Sequence, residues 1–136
     1  MQYEYLPHTA DTKFRAYGNS LEEVFKTSAR AMINVMVDVN VVKTKTVKTI
    51  NAQGKDLQSL LYDFLEKFLI ILDSENLFLT RVNQLKITKT DKGYTLIAEA
   101  WGDVANKYET IGPQVKAVTY NDMIVEEKMA QVVLDI

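Results

Sequence analysis

The 136-residue sequence predicts an α+β fold in which two helices pack on one face of a mixed, mostly antiparallel sheet. Three observations carry this expectation. Two stretches repeat apolar residues every three to four positions. Several others alternate apolar and polar residues or are rich in β-branched side chains. The strands after the second helix follow one another through hairpin-length connections, which favours α+β over a parallel α/β sheet. The length suits a single domain covering residues 1–136, with no Pro/Ser/Gly linker, repeat or low-complexity tract to divide it.

In chain order, Gln2–Leu6 and Thr12–Tyr17 read as strands around a turn at Pro7-His8-Thr9-Ala10-Asp11. Ser20-Leu21-Glu22-Glu23 matches a capping box and opens the first helix, whose buried face is Leu21, Val24, Phe25, Ala29, Met32 and Met36. Asp38 follows it as a turn residue. Residues 41–50 are nearly all β-branched or lysine and predict a strand with one wet face. Asp56 caps the second helix, which carries the stripe Leu57, Leu60, Leu61, Phe64, Leu65, Phe68, Leu69 and Leu72, with Asp63 exposed beside it. The polar run Asp73-Ser74-Glu75-Asn76 is expected to end it. A hairpin of 77–90 and 94–101 turns at Asp91-Lys92-Gly93. Residues 102–113 form the longest irregular connection, where mobility is expected. Residues 115–120, 123–126 and 129–136 complete the strands.

Composition excludes several chemistries. The absence of cysteine rules out disulfides, thiolate metal sites and cysteine nucleophiles, and one histidine, His8, cannot build a multi-histidine centre. No nucleotide-binding glycine motif, zinc-protease motif or serine-hydrolase elbow is present. A net charge of −2 argues against binding nucleic acid mainly through phosphates. Charge is nonetheless uneven. Lys43, Lys45, Lys48 and Lys55 lie in an acid-free segment, whereas Asp122, Glu126, Glu127 and Asp135 dominate the last sixteen residues. No apolar run is long enough for a membrane span and no signal-peptide layout opens the chain, so a cytoplasmic protein is expected. The remaining resource is oxygen. Asp135 ends the apolar string Val132-Val133-Leu134, next to the oxygens at Ile136. Hard oxygens of this kind suit Ca²⁺ or Mg²⁺ if another acid, such as Asp11, approaches in space. Otherwise Asp11 is a turn cap and the tail is solvated. Lys116, alternating with apolar neighbours, points to water or to an anionic target.

The same residues give a family resemblance. His8-Thr9-Ala10-Asp11 with Gly18 and Ser20-Leu21-Glu22-Glu23-Val24-Phe25 resembles the opening of the archease family. So do Asp56-Leu57 with Leu60-Leu61-Tyr62-Asp63-Phe64-Leu65-Glu66, then Val115-Lys116-Ala117-Val118-Thr119-Tyr120, and the ending Val133-Leu134-Asp135-Ile136. The resemblance runs from end to end. It implies an accessory protein rather than an enzyme, one that serves an RtcB-type RNA ligase in tRNA splicing. Such a protein promotes guanylylation of the ligase's active-site histidine, supports repeated turnover and broadens the nucleoside triphosphates accepted. The resemblance also implies a divalent-metal site, associated with Ca²⁺, at Asp11, Asp135 and Ile136, and functional or partner-facing roles for Lys116 and His8. RNA would be met only through the ligase. Asn121 departs from the pattern, because relatives often have histidine after that tyrosine, and the approach to the last strand is shortened to Lys128-Met129-Ala130-Gln131. The alternative reading is a chaperone or modulator of RNA-modifying methyltransferases. An RNA-binding module using Lys43, Lys45 and Lys48 is weaker, since these lysines lack neighbouring stacking aromatics.

Overall fold

The computed structural model describes residues 2–7 and 11–136, and its strands divide between two antiparallel sheets. The chain runs β1 (Gln2–Leu6), β2 (Thr12–Tyr17), α1 (Leu21–Asn34), β3 (Thr46–Gly54) and α2 (Leu57–Glu75). It continues through β4 (Leu77–Thr90), β5 (Gly93–Val104), a 3-10 turn at Ala105–Lys107, β6 (Ala117–Val125) and β7 (Met129–Asp135). One sheet has the order β1-β2-β7-β6 and the other β3-β5-β4. The expected α+β class with two helices on mostly antiparallel strands therefore holds, with the strands in two sheets.

Each helix touches both sheets. α1 packs against β2 and β7 of the four-stranded sheet and against β4 of the other. α2 lies against β6 of the first and β3 and β4 of the second. A helix contacted from two sides must be apolar over more than one stripe. Accordingly Ala31 and Ile33 are buried along with Val24, Phe25, Ala29 and Met32. Thr27 and Ser28 are also buried. Their hydroxyls donate to the carbonyls of Glu23 and Val24 at 2.9 and 2.8 Å, so neither enters the core unsatisfied.

Local signals set both helix starts. Ser20 Oγ accepts the Glu23 amide at 3.2 Å, the serine half of the expected box. At α2 the box closes with an unanticipated partner. Asp56 accepts the Ser59 amide at 2.8 Å and Ser59 Oγ accepts the Asp56 amide at 3.2 Å. These donors hold Asp56 below the ordinary carboxylate range, chiefly the Ser59 amide and then the Ser59 hydroxyl. The polar run after Leu72 ends the helix as expected, but only at its last residue. Ser74 Oγ donates to the Ile70 carbonyl at 2.7 Å and the helix continues to Glu75, stopping where Asn76 turns left-handed at φ 57°. Asparagine tolerates that conformation.

Three strands differ in their bounds from the sequence pattern. β3 begins at Thr46, not in the low forties, and extends to Gly54 through residues with little β propensity. Pairing with β5 decides this, from Thr46 opposite Gly102 to Gly54 opposite Tyr94. Before Thr46, the Lys43 amide donates to the Tyr108 hydroxyl at 3.0 Å. β5 itself runs past Trp101 to Val104. The two short strands expected at 115–120 and 123–126 form one, β6, whose register shifts between Thr119 and Ile124 around Asp122 at φ 51°. The bulge imitates a turn in sequence.

Aromatic packing joins the helices. The Phe25 and Phe64 rings lie 5.9 Å apart, and Phe64 meets Phe68 edge-on at 5.1 Å. Phe64 is fully buried between two helices and two sheets. Phe64→Ala is therefore expected to cost about 3–5 kcal/mol, measured by urea denaturation. A loss below about 1 kcal/mol would contradict a packed core at this position.

Candidate functional site at one end of the four-stranded sheet

β7 is apolar along most of its length, with Ala130, Val132, Val133 and Leu134 fully buried. β2 pairs with one of its edges and β6 with the other. The β2 register sets Thr12 opposite Leu134, and the β6 register sets Ala117 opposite Asp135. Both neighbouring strands thus begin where β7 ends. Lys116 immediately precedes β6, and its amide donates to the Asp135 carbonyl at 2.8 Å. Asp11 immediately precedes β2. The paired register stops at Thr12 opposite Leu134, and Asp11 and Asp135 are the next residues along the two chains.

Strand alternation gives the sidedness. Phe14, Val132 and Leu134 face the helices, so Lys13, Val133 and Asp135 take the outer face. Asp135 and Lys116 are exposed, Asp11 is half-buried at a bend, and Ile136 packs part of its side chain against the core. His8 lies outside the described residues. Asn121 is exposed within the β6 bulge, its amide donating to Thr119 Oγ1 at 3.3 Å, five positions beyond Lys116. Among the described residues, no three His, Cys, Asp or Glu side chains converge.

The outer face carries a polar link that sequence reasoning missed. Gln131, buried in mid-β7, accepts from Arg15 Nε at 2.9 Å and donates to the Asp122 carbonyl at 2.8 Å. Asp122 also pairs with Lys13 at 3.5 Å. This network ties β2, β7 and the β6 bulge together across the sheet. Asp63, expected as a solvated helix residue, instead accepts the Gln53 amide at 2.9 Å and fastens α2 to β3.

Tyr62 of α2 stacks on Tyr120 of β6, with centroids 4.4 Å apart and planes 11° apart. Partial desolvation, then the charges of Tyr62, Asp56, Asp63 and Glu66, raise the Tyr120 phenol above its ordinary value. Beyond this stack the helix and the residues before β6 diverge into an open groove that includes Lys116.

The connection leading to Lys116 is anchored, although mobility was expected there. Buried Asp103 accepts the Tyr108 hydroxyl at 2.6 Å and the Val104 amide at 2.9 Å, with Lys107 at 3.5 Å. Tyr108 in turn accepts the Lys43 amide, and the Ile111 amide donates to the Met36 carbonyl at 2.9 Å. The Tyr108 hydrogen bond is the main cause holding Asp103 below the usual carboxylate range, and the same bond raises Tyr108. An aspartate and a tyrosine five positions apart carry no recognisable motif, so the clasp had no sequence signal.

With this geometry, the comparisons with known proteins agree from end to end. The Archease protein family matches residues 3–136. The chain is 46% identical to protein archease of Pyrococcus abyssi, covering 99% of both chains. It is 38% identical to that of Methanosarcina acetivorans, covering 99% of this chain and 96% of the relative. The solution structure of Methanobacterium thermoautotrophicum protein 1598 superposes with a TM-score of 0.81 at 35% identity, covering 98% of each chain. This chain belongs to the archease family. Membership supports, at a coarse level, the accessory role in tRNA processing that the sequence resemblance implied. Among the described residues, no helix is long and apolar enough to cross a membrane.

The Asp103 clasp has a pH signature. A carboxylate whose folded value lies below its ordinary 3.8 contributes stability that is full above that value and is lost as pH falls through the folded value. Asp103→Asn should lower the urea midpoint at pH 7, and its deficit against the parent should shrink as pH drops below 3.8. A deficit independent of pH would deny the carboxylate this role.

Proposed function

We propose that this protein is a cytoplasmic accessory factor of tRNA splicing that activates an RtcB-type RNA ligase, promoting its guanylylation and turnover and widening its use of nucleoside triphosphates. The observation that carries the reading is the meeting of the 115–120 and 133–136 strings at one sheet end, where the Lys116 amide bonds to Asp135, in a chain matching archeases throughout. The ligase performs the covalent chemistry. Lys116 offers an exposed ammonium for a phosphate or carboxylate of the partner. His8, in the same string as Asp11, faces the partner in this reading.

Asp11 and Asp135, with main-chain oxygen at Ile136, would hold a divalent cation, Ca²⁺ being the best match. Their donor set fits, because it consists of hard oxygens without sulfur or clustered imidazole. In this reading the two acids continue the β2–β7 register, in which opposed Cα atoms lie about 4.5–5.5 Å apart, close enough to share one ion. When bound, the cation supplies positive charge against the phosphate charge that builds in nucleotidyl transfer. With so few protein ligands the site should be weak, about 10⁻⁴–10⁻³ M for Ca²⁺.

The decisive assay is guanylylation of the ligase with and without this protein. Lys116→Ala should leave the thermal melt unchanged and reduce the stimulation. Full stimulation by that variant would remove Lys116 from the site. The exposed Ile70 and Ile111 favour a second reading, a chaperone of RNA-modifying methyltransferases. Suppressed light scattering of such a client, without any effect on the ligase, would select it.

Metal binding has its own readout. Titration with Ca²⁺ should shift the amide resonances near Asp11 and near Asp135 in parallel, and Asp11→Ala should abolish both sets. Independent responses would separate the two acids.

A further inference from the structure

The groove beyond the Tyr62–Tyr120 stack has two walls of different kinds. One is Glu66, Leu69, Ile70 and Asp73, which follow the spacing of a single face of α2. The other is residues 114–118, the main chain entering β6. Among the described residues β6 borders its sheet, with β7 on one side and no strand on the other. Alternate N–H and C=O groups along such an edge point outward and form a template for another strand. The register shift after Thr119 interrupts regular pairing, so the template is short and ends near the stack.

The helix wall also has a chemical preference. Ile70 is 50% exposed, a large apolar side chain beside an open groove. Glu66 and Asp73 add two carboxylates. Lys67 is held by Asp63 at 2.9 Å and Lys48 by Glu75 at 2.7 Å, so among the groove-lining residues Lys116 on the opposite wall offsets one carboxylate and the helix wall keeps its negative character. We propose that this groove binds an extended segment of the partner protein as an added strand along β6. Its apolar side chains lie toward Leu69 and Ile70, and its basic side chains toward Glu66 and Asp73. Main-chain bonds then give affinity and the helix face gives selectivity. The proposal deepens the ligase-activator reading and rests on it, since a segment seated here passes beside Lys116 and orients the partner over the sheet end.

Hydrogen exchange of the ¹⁵N-labelled full chain with the intact ligase tests this, using the parent, Ile70→Asp and the double variant Glu66→Lys/Asp73→Lys. Amides in 115–119 not already bonded to β7 should exchange about tenfold more slowly in the parent complex. Both variants should keep the parent melt, weaken ligase binding by about tenfold and lose that protection. Tight ligase binding without protection at 115–119 would overturn the added strand and leave the activator reading standing. Protection that survives the charge-reversed variant would overturn the basic segment. No ligase binding and no stimulated guanylylation by the parent would overturn the activator reading and this inference with it.

Discussion

The pairing of β7 between β2 and β6 is the constraint on which the site depends. A strand buried on both faces has little freedom in register, because a slip of one residue would move its inward set to the other face. Here Val132 and Leu134 fill the helix side while Gln131 satisfies its buried amide through Arg15 and Asp122 on the other. Apolar burial and polar bonding therefore fix the same register. That register sets Thr12 opposite Leu134 and Ala117 opposite Asp135, so β2 and β6 both begin at the end of β7.

The rest of the fold holds this sheet end still. α2 runs along β6, clamped at its start by the Asp56–Ser59 box and to β3 by Asp63. Phe25, Phe64 and Phe68 fill the junction of the two helices, so α1, which packs against β2 and β7, and α2, which packs against β6, share one core. The Asp103–Tyr108 clasp anchors the connection that delivers Lys116. Exposed functional groups are thereby carried on buried supports, the arrangement in which a surface lysine or carboxylate is held in place without contributing much stability itself.

What could be read from sequence followed the range of the interactions. Caps and stripes are local, so Ser20, Asp56 and Phe64 revealed both helices. The turn role of Asp38 was equally visible, and its carboxylate accepts the Asn40 amide at 3.0 Å. Strand ends were legible only where turn chemistry set them. The start of β3 depends on β5 and on Tyr108, both more than forty residues away, and no local pattern reports that. The division into two sheets is likewise a matter of partners rather than propensity. Lys116 and Asp135 stood out as charges adjoining apolar strands, and Asp11 as a turn acid. That Lys116 adjoins Asp135 needed the β6–β7 register. Gln131, Asp103 and the Tyr62–Tyr120 stack left no signal, because each is defined by a neighbour distant in sequence.

The central claim is that Asp11 and Asp135 act as one unit at the end of β7. A double-mutant cycle with Asp11→Asn and Asp135→Asn, read as the rate of ligase guanylylation under saturating activator, tests it most directly. Acting together, each single change should remove most of the stimulation and the double variant little more, a coupling of about 1 kcal/mol or greater. Rate losses that multiply independently would contradict the claim and leave the two carboxylates as separate surface residues.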